Sequence, residues 1–204
     1  MITIWTLEDA KKEHVDEPIL ARILNNLFEK HSGTILDFGC GKGYYLNEIQ
    51  KLMPNRDLIA LEGTPNIEEI SYFKPIKQQD LGKKFILKRP SLLDKRKKDL
   101  IKGNVLCLEV AEHIDPQYEE VFVENLINHT FGLLIISWAI PDQAGYGHNN
   151  CKSNQDVITL IESKSKELIN PLKFNKELTE KFRSELQSAK SWWFKNTIMV
   201  FNTI

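Results

Sequence analysis

The stretch Thr34-Ile35-Leu36-Asp37-Phe38-Gly39-Cys40-Gly41-Lys42-Gly43-Tyr44 decides the fold. Residues 34–38 are short and largely apolar and read as a buried strand. Glycines follow at 39, 41 and 43. At alternate positions they let the backbone turn tightly and approach a ligand where a Cβ would collide. From Tyr44 to Leu52 the sequence reads as a helix, with Leu46, Ile49 and Leu52 on one side. The amides that open such a helix attract negative groups. A dinucleotide-binding turn has G-x-G-x-x-G. Here the third glycine comes one residue early, and Tyr44 stands where that last glycine would be.

Working outward, strand and helix patterns alternate. The first thirty residues read as helix after a short lead, with Pro18 suited to a first turn and Ile19, Leu20, Ile23, Leu24, Leu27 and Phe28 forming the apolar stripe. Further strands are predicted at 57–61, 75–79, 104–108, 131–138 and 197–202. Helices are predicted at 66–73, 91–100, 116–129, 156–165 and 176–186. Residues 139–150 form a loop rich in Gly and Asn. Strands alternating with helices imply a mostly parallel α/β sheet covered on both faces. Ligands of such sheets bind beyond the carboxyl ends of the strands. The glycine turn, Glu62, Asp80, the 109–113 segment and the 139–150 loop all follow predicted strands, so they are expected around one crevice.

Length and composition agree with one ordinary domain. The 204 residues are 42% hydrophobic, enough for a core without disulfide staples. Lys+Arg is 27 and Asp+Glu 28, a net charge of −1, which argues against nucleic-acid binding by bulk charge alone. Cys40, Cys107 and Cys151 lack any C-x-x-C pairing, so neither a disulfide framework nor a zinc-thiolate site is expected. Residues 1–7 lack a basic, apolar leader, and the apolar run 133–136 is too short to span a bilayer. The expectation is a cytoplasmic protein with no membrane partner.

The pattern D-x-G-x-G-x-G at Asp37–Gly43 resembles motif I of the class I S-adenosylmethionine-dependent methyltransferases, and the resemblance runs over about residues 30 to 140. It implies a Rossmann-like sheet of seven strands or slightly fewer, with S-adenosylmethionine as cofactor. Asp37, Gly39, Gly41, Gly43 and Tyr44 would then line the methionine end, Glu62 would bond the ribose hydroxyls, and Asp80 with Leu81 would meet the adenine. A carboxylate at Glu62 suits two O–H donors at once. Within one domain, 1–204, residues 1–32 would be a helical lid, 33–140 the cofactor core, and 141–204 the acceptor loop and C-terminal part. The tail departs from the family pattern: a helix at 176–186 precedes the last strand where a plain hairpin is expected.

Glu109-Val110-Ala111-Glu112-His113 is similar to the E-x-x-E-H segment of two subgroups, one acting on catechol oxygens of ubiquinone precursors and one on the 2′-oxygen of RNA 3′ ends. That likeness implies a divalent metal on Glu109, Glu112, His113 and a later histidine, His148. Carboxylates and imidazoles suit Mg²⁺ or Mn²⁺. In metal-free relatives Glu109 would instead lie near the methionine group and His113 would be a local hydrogen bonder. The 139–150 loop is the expected acceptor platform, with Trp138 and Tyr146 for stacking and Asp142 or His148, alongside His113, for proton transfer. The reading is O-methylation of a small polar acceptor such as a sugar or nucleotide sugar. RNA is the alternative acceptor, through the basic residues between Lys83 and Lys102, and charge reversal at Lys95–Lys98 would test it. A non-catalytic methyltransferase-like binding protein is the third reading. The aromatic Trp192–Phe194 segment suits core or lid packing, or burial in a second copy of the chain.

Overall fold

A computed structural model describes residues 5–90 and 98–204. Helix α1 (Leu7–Glu13) opens with a capping box: Asp9 N–H donates to Thr6 Oγ1 and Thr6 N–H donates to Asp9. Helix α2 (Pro18–Phe28) starts on the proline and buries Leu20, Ile23, Leu24 and Phe28. Strand β1 (Ile35–Phe38), helix α3 (Tyr44–Leu52) and strand β2 (Leu58–Glu62) follow. Strand β3 (Ile76–Gln78), an antiparallel pair β4 (Lys88–Pro90) and β5 (Lys98–Leu100), and β6 (Gly103–Cys107) come next. Helix α4 (Glu119–His129) and the long strand β7 (Thr130–Ser137) lead into α5 (Asn154–Ser165), β8 (Leu172–Phe174), α6 (Lys176–Glu185), α7 (Phe194–Thr197) and β9 (Ile198–Thr203).

Seven strands form one sheet in the order β3-β2-β1-β6-β7-β9-β8. All neighbours are parallel except β9, which runs antiparallel to both β7 and β8. Alternate side chains feed two cores, as the strand period of two requires. Ile35, Leu106, Ile135 and Val200 pack with α2, α3 and α6, whereas Leu36, Val105, Ile136 and Phe201 pack with α4 and α5. The mostly parallel sheet with helices on both faces is therefore as expected.

Several local expectations are corrected. The first thirty residues hold two helices broken at 14–17, where Pro18 restarts the chain. The 66–73 segment forms only a single 3-10 turn, Ile67–Glu69, preceded by Asn66 in the left-handed region at φ 59°. The predicted helix at 91–100 falls partly outside the described residues; its end, Lys98–Leu100, is strand β5, paired to β4. The tail carries a strand, β8, that has only three residues and no alternation long enough to read from sequence. The helix expected at 176–186 is present as α6 and stands where the family has a plain hairpin, yet β9 still slots between β7 and β8. Among the described residues no helix is long and apolar enough to cross a membrane.

Candidate active site

At the carboxyl ends of β1, β2 and β6 lies a cavity of ≈ 410 Å³. Its floor is the glycine turn. Gly39, Gly41 and Gly43 have φ of 82°, 53° and 73°, a region that side chains rarely adopt. A Cβ on Gly39 would come within 2.3 Å of Val110, and one on Gly41 within 2.8 Å of His14 Nδ1. Glu62, at the end of β2, is buried and fixes this turn: its carboxylate accepts from Gly41 N–H at 2.8 Å and from Thr64 N–H and Oγ1 at 2.9 Å. Asp37 is buried beneath the turn, and burial together with the charge of Glu62 pushes its carboxyl up to about 8.

The opposite side is built from the turn after β6. Glu109 adopts φ 55°, with its N–H donating to Ser137 Oγ at 2.7 Å. Non-glycine residues held in that region concentrate at functional sites. The next turn buries Glu112 completely. The backbone carbonyl of Glu112 accepts from Asn149 and Asn150 N–H at 3.0 Å, which pulls the 139–150 loop onto this turn. The loop thereby brings His148 Nε2 to 3.9 Å from Glu112 Oε1. His148 Nδ1 faces Gln143 O at 3.1 Å and His113 Nδ1 faces Gly147 O at 3.3 Å. Donation of Nδ1–H to these carbonyls leaves each Nε2 as the lone-pair atom, the arrangement of metal-binding histidines. Ligand atoms of Glu112, His113 and His148 lie within 4.8 Å of one another. Gly145 makes room for this, since a Cβ there would sit 2.2 Å from the His148 ring.

The carboxyls of this side are buried next to each other. Neither oxygen of Glu112 has a hydrogen-bond partner, nor has Glu109 Oε1. Burial pushes Glu109 up to about 7, and burial plus the neighbouring Glu109 drives Glu112 well above the carboxylate range. Burial, aided by His148, pushes His113 down to about 4, so its imidazole is neutral near pH 7. Buried polar atoms without partners are rare in folded proteins. The close cluster holds one carboxyl and two imidazoles, with Glu109 beside Glu112 rather than within it, a donor set that suits Mg²⁺ or Mn²⁺.

No protein-family model matches the sequence, and no curated protein matches it. Solved structures do. The small RNA methyltransferase HEN1 superposes with a TM-score of 0.57 at 18% identity, over 90% of this chain and 24% of that one, so the chain spans about a quarter of its length. The methyltransferase domain of bacterial CtHen1 gives 0.55 at 15% identity, over 97% of this chain and 98% of that one. CalS10, an amino pentose methyltransferase of Micromonospora echinaspora, gives 0.58 at 12%, over 90% of each chain. The chain has the class I methyltransferase fold.

Within that fold, most residues expected at the cofactor end line the cavity: Asp37, Gly39, Gly41, Tyr44, Glu62, Asp80, Leu81 and Glu109; Gly43 does not, but caps α3 with its missing Cβ turned to Phe73. Asp80 also has a turn role, accepting from Gly82 N–H at 3.0 Å and pairing with Lys83 at 3.2 Å. His113 and His148 line the same space. Asp142 does not. It is exposed, at φ 68° in a turn closed by Gln143 N–H to Ile140 O, a position where Asp is favoured for backbone reasons. Trp138 is no stacking platform either: it is fully buried against Phe122, with its indole N–H bonded to Asn150 O. Lys95, Arg96 and Lys97 lie outside the described residues. Arg89 pairs with Asp57 at 2.7 Å and donates to Thr34 at 3.0 Å, which sets β4 at the amino ends of β1 and β2, away from the cavity.

Sequence reading missed His14, Tyr45 and Trp193, which line the cavity with His14 Nδ1, Tyr45 OH and Trp193 Nε1 buried and unpartnered. Trp193 was placed only as packing, and no motif surrounds His14. The link that brings both into the wall is Glu17, buried between the start of α2 and the tail: it accepts from Ile19 N–H and from Ser191 N–H.

Proposed function

We propose that the protein is an S-adenosylmethionine-dependent O-methyltransferase whose acceptor carries neighbouring hydroxyl groups, of which a sugar is one class, held with the help of Mg²⁺ or Mn²⁺. The observation that carries this reading is one cavity with two chemically distinct ends. The glycine turn with Glu62 forms one end, and Glu109, His113 and His148 form the other, with the buried carboxyl of Glu112 behind the two imidazoles. S-adenosylmethionine supplies a methyl group on a sulfonium, ready for in-line displacement. A divalent ion supplies Lewis acidity that lowers the pKa of a hydroxyl.

The residues of the chain do the rest. Gly39, Gly41 and Gly43 let the backbone lie against the methionine end, and Glu62 offers its carboxylate to the ribose. Glu109, Glu112, His113 and His148 hold the acceptor side. His113 stays neutral near pH 7, which leaves its imidazole lone pair for the ion. Positioning two reactants in a dry pocket accounts for most of the rate. RNA as acceptor is disfavoured by the position of Arg89 and Lys98, on strands at the far end of the sheet.

Calorimetric titration with S-adenosylhomocysteine, in chelator and then with Mg²⁺ or Mn²⁺, tests the reading. Micromolar binding is expected, with Glu62→Ala weakening it by more than about tenfold, roughly the worth of one charge-assisted hydrogen bond. A metal heat is expected in the wild type and not in Glu112→Ala/His148→Ala. Absence of S-adenosylhomocysteine binding under every condition would sink the enzyme reading.

A further inference from the structure

The described residues 79–87 join β3 to β4 as turns and irregular chain. The first three, Gln79, Asp80 and Leu81, line the cavity. Gln79 N–H still donates to Glu62 O at 2.8 Å, and past it the sheet ladder ends. Buried backbone groups beyond that point need partners from elsewhere. Helix α4 supplies them from two side chains one turn apart. Asn125, buried, donates through Nδ2 to Leu81 O at 2.9 Å and to Lys83 O at 2.8 Å, and its Oδ1 accepts from Phe85 N–H at 3.3 Å. Both donors of the amide are thereby used. Leu87 N–H donates to Nε2 of the fully buried His129 at 3.1 Å, so the ring proton lies on Nδ1, facing Asn125 O at 2.7 Å. Burial pushes the pKa of His129 down, which keeps the ring neutral as this pattern requires. Phe85 stacks on the same ring at 5.2 Å between centroids, and Phe38, the last residue of β1, meets it at 5.5 Å.

The clamp fixes two residues of complementary chemistry. Leu81 is apolar and buried, a surface for a flat ring. Asp80 beside it is held by Gly82 N–H and by Lys83. Lys83 is shared between the two devices: Asn125 holds its carbonyl and Asp80 its ammonium. A carboxylate only accepts hydrogen bonds, so it favours an amino group over a carbonyl oxygen on the edge of such a ring. A buried amide with all its bonds made is rigid, and it passes that rigidity to the backbone it holds.

We propose that Asn125 is a positioning residue for the base of the cofactor: by holding the backbone of residues 81–85 it fixes Asp80 and Leu81 where they select a 6-amino over a 6-oxo purine. The proposal rests on the S-adenosylmethionine reading and deepens its cofactor end. Asn125 and His129 do not line the cavity themselves, and they act through the segment they hold. Base selection is then set from α4, a helix on one face of the sheet, rather than by the cavity wall alone.

The test is calorimetric titration of the full chain with S-adenosylhomocysteine and with S-inosylhomocysteine, whose base carries a 6-oxo group instead. The wild type is expected to bind the first at least about tenfold more tightly, the size of one hydrogen bond to a charged group. Asn125→Ala is expected to weaken S-adenosylhomocysteine and to bring the two ligands within about threefold of each other. Arg56→Ala is the control, because Arg56 bonds the end of α2, away from this wall. It is expected to keep the wild-type ratio while lowering stability. Amide exchange of the wild type gives a second measurement that holds even if Asn125→Ala does not fold. Excess S-adenosylhomocysteine is expected to slow the Phe85 and Leu87 amides, outside the cavity, at least about threefold more than those of Leu172 and Phe174 on the opposite edge strand. Wild-type affinities within about threefold of each other overturn the proposal, as do an unchanged ratio in Asn125→Ala, an equal loss of ratio in Arg56→Ala, or equal slowing at the two places. Those results leave the methyltransferase reading standing if S-adenosylhomocysteine binds the wild type. Its failure to bind removes both.

Discussion

Asp37 joins the chemistry of the cofactor end to the stability of the core. It is buried under the glycine turn with Oδ2 unpartnered, and burial plus Glu62 pushes it up to about 8. In the unfolded chain the same carboxyl ionises near 3.8. Between those values the unfolded chain has already released its proton and the folded one has not. Stability therefore falls as pH rises through that window and levels off above about 8. A cationic ligand favours the carboxylate, so S-adenosylmethionine should bind more tightly as pH rises from 6 to about 8, with proton release. In Asp37→Asn the part of that dependence centred near 8 should vanish, leaving what Glu109 contributes near 7. Titration in buffers of different ionisation heat measures the proton directly, and an unchanged profile in Asp37→Asn would refute the assignment. Asp37 was legible in the sequence as part of D-x-G-x-G-x-G. Its raised pKa was not, because it depends on burial and on a carboxylate from the neighbouring strand.

At the scale of elements, turns carry the geometry. Helix α2 ends without a glycine cap, and Arg56, from the turn after α3, takes over. Its guanidinium donates to the carbonyls of Phe28, His31 and Gly33. Terminal carbonyls need such partners, and a cation there complements the helix dipole. Arg56→Ala should destabilise the fold by about 1–3 kcal/mol, the usual range for hydrogen bonds to a charged group, while leaving S-adenosylhomocysteine affinity unchanged. Urea unfolding checks the first expectation and calorimetry the second. Of the elements themselves, α3 was readable to the residue, because its apolar spacing and glycine boundary agree. The β4–β5 pair and β8 were not. Three-residue strands gain their identity from a partner strand rather than from a pattern of their own.

The whole molecule separates stability from chemistry along the sheet. Two cores pack on its faces, and among the described residues most of the buried polar atoms without a partner belong to the cavity and the turn after β6: His14, Asp37, Tyr45, Glu109, Glu112 and Trp193. Glu112 is the extreme case, fully buried with both oxygens unpartnered. Its burial-raised pKa weakens the metal-free fold increasingly as pH climbs above the ordinary 4.5. Glu112→Gln should therefore raise the Tm of the metal-free protein, more at pH 8 than at pH 5. Added Mn²⁺ should raise the Tm of the wild type, because a ligand of the native state alone stabilises it, and chelator should reverse this. Glu112→Gln should no longer respond. Thermal melts at both pH values, with and without metal, check each part, and a wild-type Tm indifferent to Mn²⁺ would remove the metal from the proposal.

Local spacing was enough to read the alternation of strands and helices, the glycine turn and the places of Glu62, Glu109 and His113 at the crevice, whereas Glu112, expected beside them, is fully buried behind it. Each follows from local spacing and from the rule that ligands sit beyond the strand ends. Only the tertiary structure decided which distant residues join them. His148 reaches Glu112 because two backbone hydrogen bonds fold the loop over, whereas Asp142, six residues earlier, is spent on a turn. His14, Trp5 and Trp193 enter the wall because Glu17 ties the lid to the tail, 174 residues apart in sequence. Contacts at that separation leave no periodic trace in a single chain, since nothing local selects the residue types that make them.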